Sequence, residues 1–200
     1  LVGFALTGIT DMPGRADHHF KRTVMATPKA LAWGNKVSSV FRDRVFWIGE
    51  DLLLDPNNLM AGMAWETGEK FSANVTNMAG SGATGLIQFM PSTARSLGTT
   101  TAKLAAMTAE DQLNFVHKYF KPFRGRLHTL ADLYMAILWP AGVGKPESYV
   151  LFDRSKPGKA YRQNSGIDMN KDGLVTKAEA TAKVHAKLVR GMQPGRIWRA

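Results

Sequence analysis

Apolar residues in this chain recur every three or four positions, and very few stretches alternate with period two. A helix turns by 100° per residue, so this spacing gathers apolar side chains on one face, whereas a half-buried strand needs alternation. The expected fold class is therefore mainly α. Between Lys29 and Leu54 the periodic set is Val37, Val40, Phe41, Val45 and Ile48. Asp55 followed by Pro56 predicts an N-cap and first helical residue for a second helix, through Asn57 to Thr67, which Gly68 ends. Pro91 opens a short helix closed by Gly98. Thr108 with Asp111, and Thr129 with Asp132, have the spacing of capping boxes; the helices they start are stopped by Pro122 and Pro140. Residues 69–85, rich in Gly, Ser, Asn and Thr, read as a long loop, and loops of that length in a compact domain are usually functional or disordered.

Composition narrows the chemistry. With no cysteine among 200 residues, a disulfide scaffold, a zinc ribbon and a thiol nucleophile are all excluded. His18, His19, His117, His128 and His185 show no metal-ligand spacing, so no zinc site is expected. Twenty-six Lys and Arg against 16 Asp and Glu give a formal charge of +10. Such a balance suits a polyanionic partner: nucleic acid, an anionic envelope polymer or a lipid surface. No apolar run reaches the roughly 18–20 residues that span a bilayer, and Leu1–Thr10 lacks the basic leader of a signal peptide. Residues 1–24 are expected to be an N-terminal appendage, vector-derived or left from a larger protein, with an ordered arm as the alternative.

One carboxylate stands out. On a helix, Leu59, Met63 and Glu66 fall within about 60° of one another, so Glu66 shares the apolar stripe, with Trp65 beside it. Apolar surroundings disfavour the charged form of a carboxyl group and raise its pKa, as a general acid for glycoside cleavage requires. The alternative is a helix-end glutamate that reaches water. Downstream, Gly80-Ser81-Gly82-Ala83-Thr84-Gly85 leads into a lone Gln88 among apolar residues, which suits a hydroxyl- and amide-rich ligand such as an amino sugar.

Three blocks resemble the soluble lytic transglycosylases, glycoside hydrolase family 23, and cover residues 60–145. Met63-Ala64-Trp65-Glu66-Thr67 resembles the family's catalytic Glu followed by a small hydroxyl residue. Gly85-Leu86-Ile87-Gln88-Phe89-Met90-Pro91-Ser92-Thr93-Ala94 closely matches G-L-x-Q-x-M-P-x-T-A. Leu138-Trp139-Pro140-Ala141-Gly142 falls where the family has A-Y-N-A-G, with Trp139 and Pro140 in place of Tyr-Asn. The resemblance implies a goose-lysozyme-like helical domain, expected over residues 25–157. It implies cleavage of the β-1,4 bond between N-acetylmuramic acid and N-acetylglucosamine in peptidoglycan, forming a 1,6-anhydro ring. Glu66 would act as acid and base. Thr67, Gln88, Phe89, Tyr134 and Trp139 are the candidate substrate-binding residues, Tyr134 as a substitute for the displaced tyrosine and Trp139 as either sugar platform or core. No second catalytic carboxylate is implied; were one needed, Glu69 and Asp132 are the nearest candidates. The overall pattern resembles phage and prophage forms more than cell-envelope housekeeping ones, which implies an endolysin that passes from host cytoplasm to periplasm and cell wall, or a virion-associated lysin. A monomer is expected. Hydrolysis of the same bond, and a basic virion or nucleic-acid-binding module without catalysis, are the alternatives.

A separate motif occupies the C-terminal region, residues 158–200. Asp168-Met169-Asn170-Lys171-Asp172-Gly173-Leu174-Val175-Thr176-Lys177-Ala178-Glu179 matches the EF-hand pattern D-x-[DN]-x-[DN]-G-x5-E at every position. Side chains of Asp168, Asn170 and Asp172, the carbonyl of Leu174, Thr176 at the position that often acts through water, and Glu179 are the predicted ligands of a structural Ca²⁺. A solvated acidic turn is the alternative. An outgoing helix is expected over Thr176 to Arg190, but no incoming helix over Tyr161 to Ile167. The basic tail, with Lys183, Lys187, Arg190, Arg196 and Arg199, would either hold anionic wall polymers or a membrane surface, or be a solvated helix with a disordered end.

Overall fold

The computed structural model describes residues 29–77 and 80–200, so the expectation for residues 1–24 lies outside the described residues. The described chain is mainly helical. A short strand β1 (Ala30–Leu31) precedes α1 (Ser39–Leu52), α2 (Pro56–Glu66), α3 (Pro91–Ser96), α4 (Thr101–Ala105), α5 (Ala109–Phe120) and α6 (Leu130–Leu138). There follow β2 (Val150–Asp153), α7 (Ala160–Asn164), β3 (Leu174–Thr176), α8 (Lys177–Gly191) and β4 (Trp198–Arg199). Strand β1 pairs antiparallel with β4, and β2 with β3. Among the described residues no helix is long and apolar enough to cross a membrane.

Helix α2 is the axis of the molecule. Residues Asn58 to Ala64 are all buried, and a helix buried on every side needs neighbours all round. Those neighbours are α1, α6 and α8, while α5 packs on α1. The start of α2 follows the local chemistry: Asp55 accepts a hydrogen bond from the Asn57 amide and Pro56 supplies the first helical φ. The hydroxyls of Thr108 and Thr129 likewise accept from the amides of Asp111 and Asp132 to start α5 and α6.

Several expectations need correction. Helix α1 starts only at Ser39, capped by Ser38, so Val37 precedes it; Val40 lies on its outer side, 52% exposed, while Phe41, Val45, Ile48 and Leu52 face inward. An incoming helix does exist before the acidic loop: α7 followed by a 3-10 turn over Ser165–Ile167. Its helical residues are all outside the core, so no apolar period announced it. The tail does not end in disorder. Trp198 packs on the Phe46 ring, with the Arg42 guanidinium 4.9 Å from its own ring centre, and the Ala200 amide donates to the Lys29 carbonyl. Beyond residue 157, Val175, Ala180 and Val184 belong to the same apolar cluster as Met60 and Met63.

Candidate active site

Glu66 is the last residue of α2, with its side chain half-buried at the wall of two adjoining clefts. The larger cleft, about 670 Å³, is bounded by Trp65, Asn77, Ser81, Gln88, Tyr134 and Ile137, together with Gln163 and Asn164 of α7. The smaller, about 490 Å³, runs past Thr67, Lys70, Asn74 and Thr76. Among the residues lining either cleft, Glu66 is the sole acid.

Among the described residues the Glu66 carboxyl makes no hydrogen bond and no ion pair. Burial alone pushes its pKa up to about 8, so the group is protonated at neutral pH. Two phenols lie in its field. Tyr119, held by a hydrogen bond to the Ala136 carbonyl, is raised to about 12, first by burial and then by the Glu66 charge. Tyr134 is raised further by the same two causes. The Trp65 indole donates to the Tyr134 hydroxyl at 3.0 Å, which leaves the phenol proton without an acceptor among the described residues.

The backbone that leaves Glu66 is tightly turned. Glu69 and Phe71 both have φ in the left-handed region, as does Gln88 in the lining of the larger cleft. Conformations of this kind cost an L residue about 1–2 kcal/mol each and persist only where the surroundings impose them. Here Glu69 is tied by Lys187 and Arg190 of α8, and Phe71 is buried against Phe41 and Trp33.

The remaining predicted residues divide into two groups. Gln88 and Tyr134 line the larger cleft with Glu66. Gln88 spends its amide nitrogen on the carbonyls of Val75 and Gly85, so it braces the loop as well as facing the cleft. Thr67 borders the smaller cleft, but its hydroxyl is engaged at the helix end, donating to the Met63 carbonyl and accepting from the Phe71 amide. Phe89 is in the core, edge-on to Tyr119. Trp139 sits at the end of α6 against the Phe152 ring, and does not border either cleft. Glu69 and Asp132, considered as second acids, are both committed to ion pairs. For Asp132, burial pushes the pKa up, but hydrogen bonds from Lys177, the Gly144 amide and Thr129 outweigh it and hold the carboxylate below its usual range.

Two features of the site escaped the sequence reading. Residues 72–77 and 80–90 pair into a scaffold, with Thr84 and Phe89 exchanging backbone hydrogen bonds and Thr76 bridged to Thr84. Gln112 of α5, fully buried, clamps that scaffold: its side-chain oxygen accepts from the Leu86 amide, and its nitrogen donates to the Ala73 and Leu104 carbonyls. Gly85 passes so close, at φ 88°, that a Cβ there would overlap the Gln112 amide. The signal was present, since Gln112 stands four and eight residues before Val116 and Phe120, a lone polar group on an apolar stripe. The second feature is the α7 wall at Gln163 and Asn164.

In the acidic loop, Asp168 is 8% exposed. Its Oδ2 accepts from the Tyr161 hydroxyl and from the amide of Gly173, whose φ of 88° makes the turn. Asn170 and Asp172 form local turns through their own side chains. The Leu174 to Thr176 stretch is strand β3. Glu179 makes a capping box with Thr176 and also accepts from the Met169 amide. Among the described residues no three His, Cys, Asp or Glu side chains converge on one point that would hold a metal. Compared with known proteins, the chain matches no protein-family model and none of the curated proteins.

Proposed function

We propose that this protein is a peptidoglycan lytic transglycosylase of goose-lysozyme-like fold, in which Glu66 is the sole catalytic carboxylate. The observation that carries the reading is the state of that group: a partnerless acid with a pKa near 8, placed where two clefts meet. A glycan strand lying along both clefts would place a glycosidic oxygen beside a proton donor that is charged at neither neutral nor mildly acidic pH. Glu66 protonates the leaving oxygen as the C1–O4 bond breaks. The carboxylate so formed then takes the proton of the muramoyl 6-hydroxyl as O6 bonds to C1, which closes the 1,6-anhydro ring and returns Glu66 to its acid form. No water is consumed.

The absence of any other acid from the lining supports ring closure over hydrolysis, because a two-carboxylate glycosidase places its second acid at a defined separation across the same site. The resemblance of residues 60–145 to family 23 supports the same reading, as does Tyr134, whose free phenol proton on the cleft wall suits the role of the tyrosine displaced at position 139. The phage-type pattern makes an endolysin or virion-associated lysin the setting we favour.

Mass spectrometry of fragments released from purified peptidoglycan tests this. The expected products carry anhydro-muramyl ends, and Glu66→Gln releases at least about 10³-fold less, within the usual range for loss of a general acid–base. Reducing ends heavier by one water would make the protein a muramidase. No release by the unaltered chain would overturn the enzymatic reading.

A further inference from the structure

We infer that residues 168–179 bind Ca²⁺ and that the bound ion fixes one wall of the Glu66 cleft, so that glycan binding depends on calcium. The ion site stands on its own observations; the identity of the ligand in the cleft rests on the function proposed above.

The loop presents only hard oxygen donors, from Asp168, Asn170, Asp172, the Leu174 carbonyl and Glu179, and three of these are carboxylates. That donor set suits Ca²⁺ over softer metals. A second observation points to a ligand. Oδ1 of Asp168 is buried with no hydrogen-bond partner, the one carboxylate oxygen in that condition among the described residues. A buried, partnerless carboxylate oxygen is costly, and a cation removes the cost. Glu179 is turned back on its own helix, with Oε2 accepting from the Thr176 amide and hydroxyl and Oε1 from the Met169 amide. Coordination exchanges those contacts for the ion. The Thr176 hydroxyl still accepts from the Glu179 amide, so α8 keeps its cap.

The coupling to the cleft follows from α7. This five-residue helix has no side-chain cap and no buried residue, and so short a helix has little stability of its own. It nevertheless supplies Gln163 and Asn164 to the lining of the cleft that Glu66 also lines. It packs on β2 and β3 with Tyr161 against the apolar cluster, and the Tyr161 hydroxyl ties it to the acidic loop by donating to Asp168 at 2.6 Å. The turn between them is tied again by Lys183, whose ammonium donates to the Gly166 carbonyl and lies 6.0 Å from the Trp65 ring centre, next to Glu66. An ion that immobilises Asp168 therefore immobilises α7 and the wall it forms.

Isothermal titration of the full chain with CaCl₂ should show one site with a dissociation constant of about 10⁻⁵–10⁻³ M, the range of single extracellular modules and weaker sensors. Glu179→Gln, which keeps an oxygen to cap α8 but loses the charge, should abolish the heat; circular dichroism checks that it folds. A hexamer of N-acetylglucosamine is then titrated into Glu66→Gln, with calcium and with EDTA. About tenfold tighter binding with calcium is expected, and no calcium response in Glu66→Gln/Glu179→Gln. Absence of calcium binding by the full chain overturns the site. Calcium binding with unchanged hexamer affinity overturns the coupling. If calcium binds but neither hexamer binding nor peptidoglycan release occurs at saturating calcium, the glycosidase reading falls and the coupling with it, while the ion site stands.

Discussion

Glu66 and Asp132 are both acids at the ends of helices that pack on each other, and they have opposite fates. Asp132 begins α6 and is surrounded by donors: Lys177 at 2.6 Å, the Gly144 amide and the Thr129 hydroxyl. Glu66 ends α2 with no donor among the described residues, beside clefts that admit a ligand. Burial raises the pKa of either group, but only at Asp132 is it outweighed. The difference separates a carboxylate that holds the fold together from one that burial keeps protonated at the expense of stability.

The comparison predicts opposite responses to removing each charge. Asp132→Ala should be the most damaging change, because it leaves the Lys177 ammonium, itself 2% exposed, without a counter-charge; a loss of about 3–5 kcal/mol is expected in urea unfolding. Replacing Lys177 by Met in the same chain should recover much of that loss. Glu66→Gln should instead stabilise the protein, by on the order of 2–3 kcal/mol at pH 7.

The pH dependence carries the same contrast. In the unfolded chain Glu66 ionises near its ordinary 4.5, and in the fold only near 8. Between those values the unfolded state binds fewer protons, so the stability that Glu66 contributes is present below about 4.5 and is lost as pH rises toward about 8. Asp132 works the other way: its folded pKa is depressed, so its contribution is present above the ordinary carboxylate pKa and lost on acidification. Plotted against pH, the melting temperature of Glu66→Gln should lack the decline between about 4.5 and 8 and keep the loss on acidification. Peptidoglycan release should fall as pH passes about 8, where the acid form of Glu66 disappears.

Smaller effects test the neighbours of each acid. Tyr134→Phe removes the phenol proton that faces the cleft along with the acceptor of the Trp65 indole; about a tenfold loss in fragment release is expected, with near-native melting. Thr129→Ala removes both the α6 cap and one donor to Asp132, for about 1 kcal/mol. An appreciably larger loss would mean that the three donors around Asp132 act as a unit.

How much of this was legible depended on range. The helix starts at Asp55, Thr108 and Thr129, and the place of Glu66 on an apolar face, are decided within a few residues, and local spacing reveals them. The same logic applied to Gln112 would have found the clamp on Ala73 and Leu86. Partners distant in sequence left no local trace. Nothing around Lys177 announces an ion pair with a residue 45 positions earlier, and nothing in Gln163 or Asn164 points to a cleft built on α2. Trp139 shows the converse: its place after α6 follows from Pro140, but its side chain turns to Phe152, a contact set by how β2 returns along the molecule.

The pairing of β1 with β4 brings Lys29 and Ala200 to within one hydrogen bond. The described chain is thus a nearly closed circuit, and joining those two residues by a short linker should leave its contacts intact. New termini opened in the exposed turn at 154–158 would then give a circular permutant in which α7 and the acidic loop lead the chain. In such a molecule the order of synthesis is reversed between cleft wall and cleft floor, while the finished arrangement around Glu66 is the same.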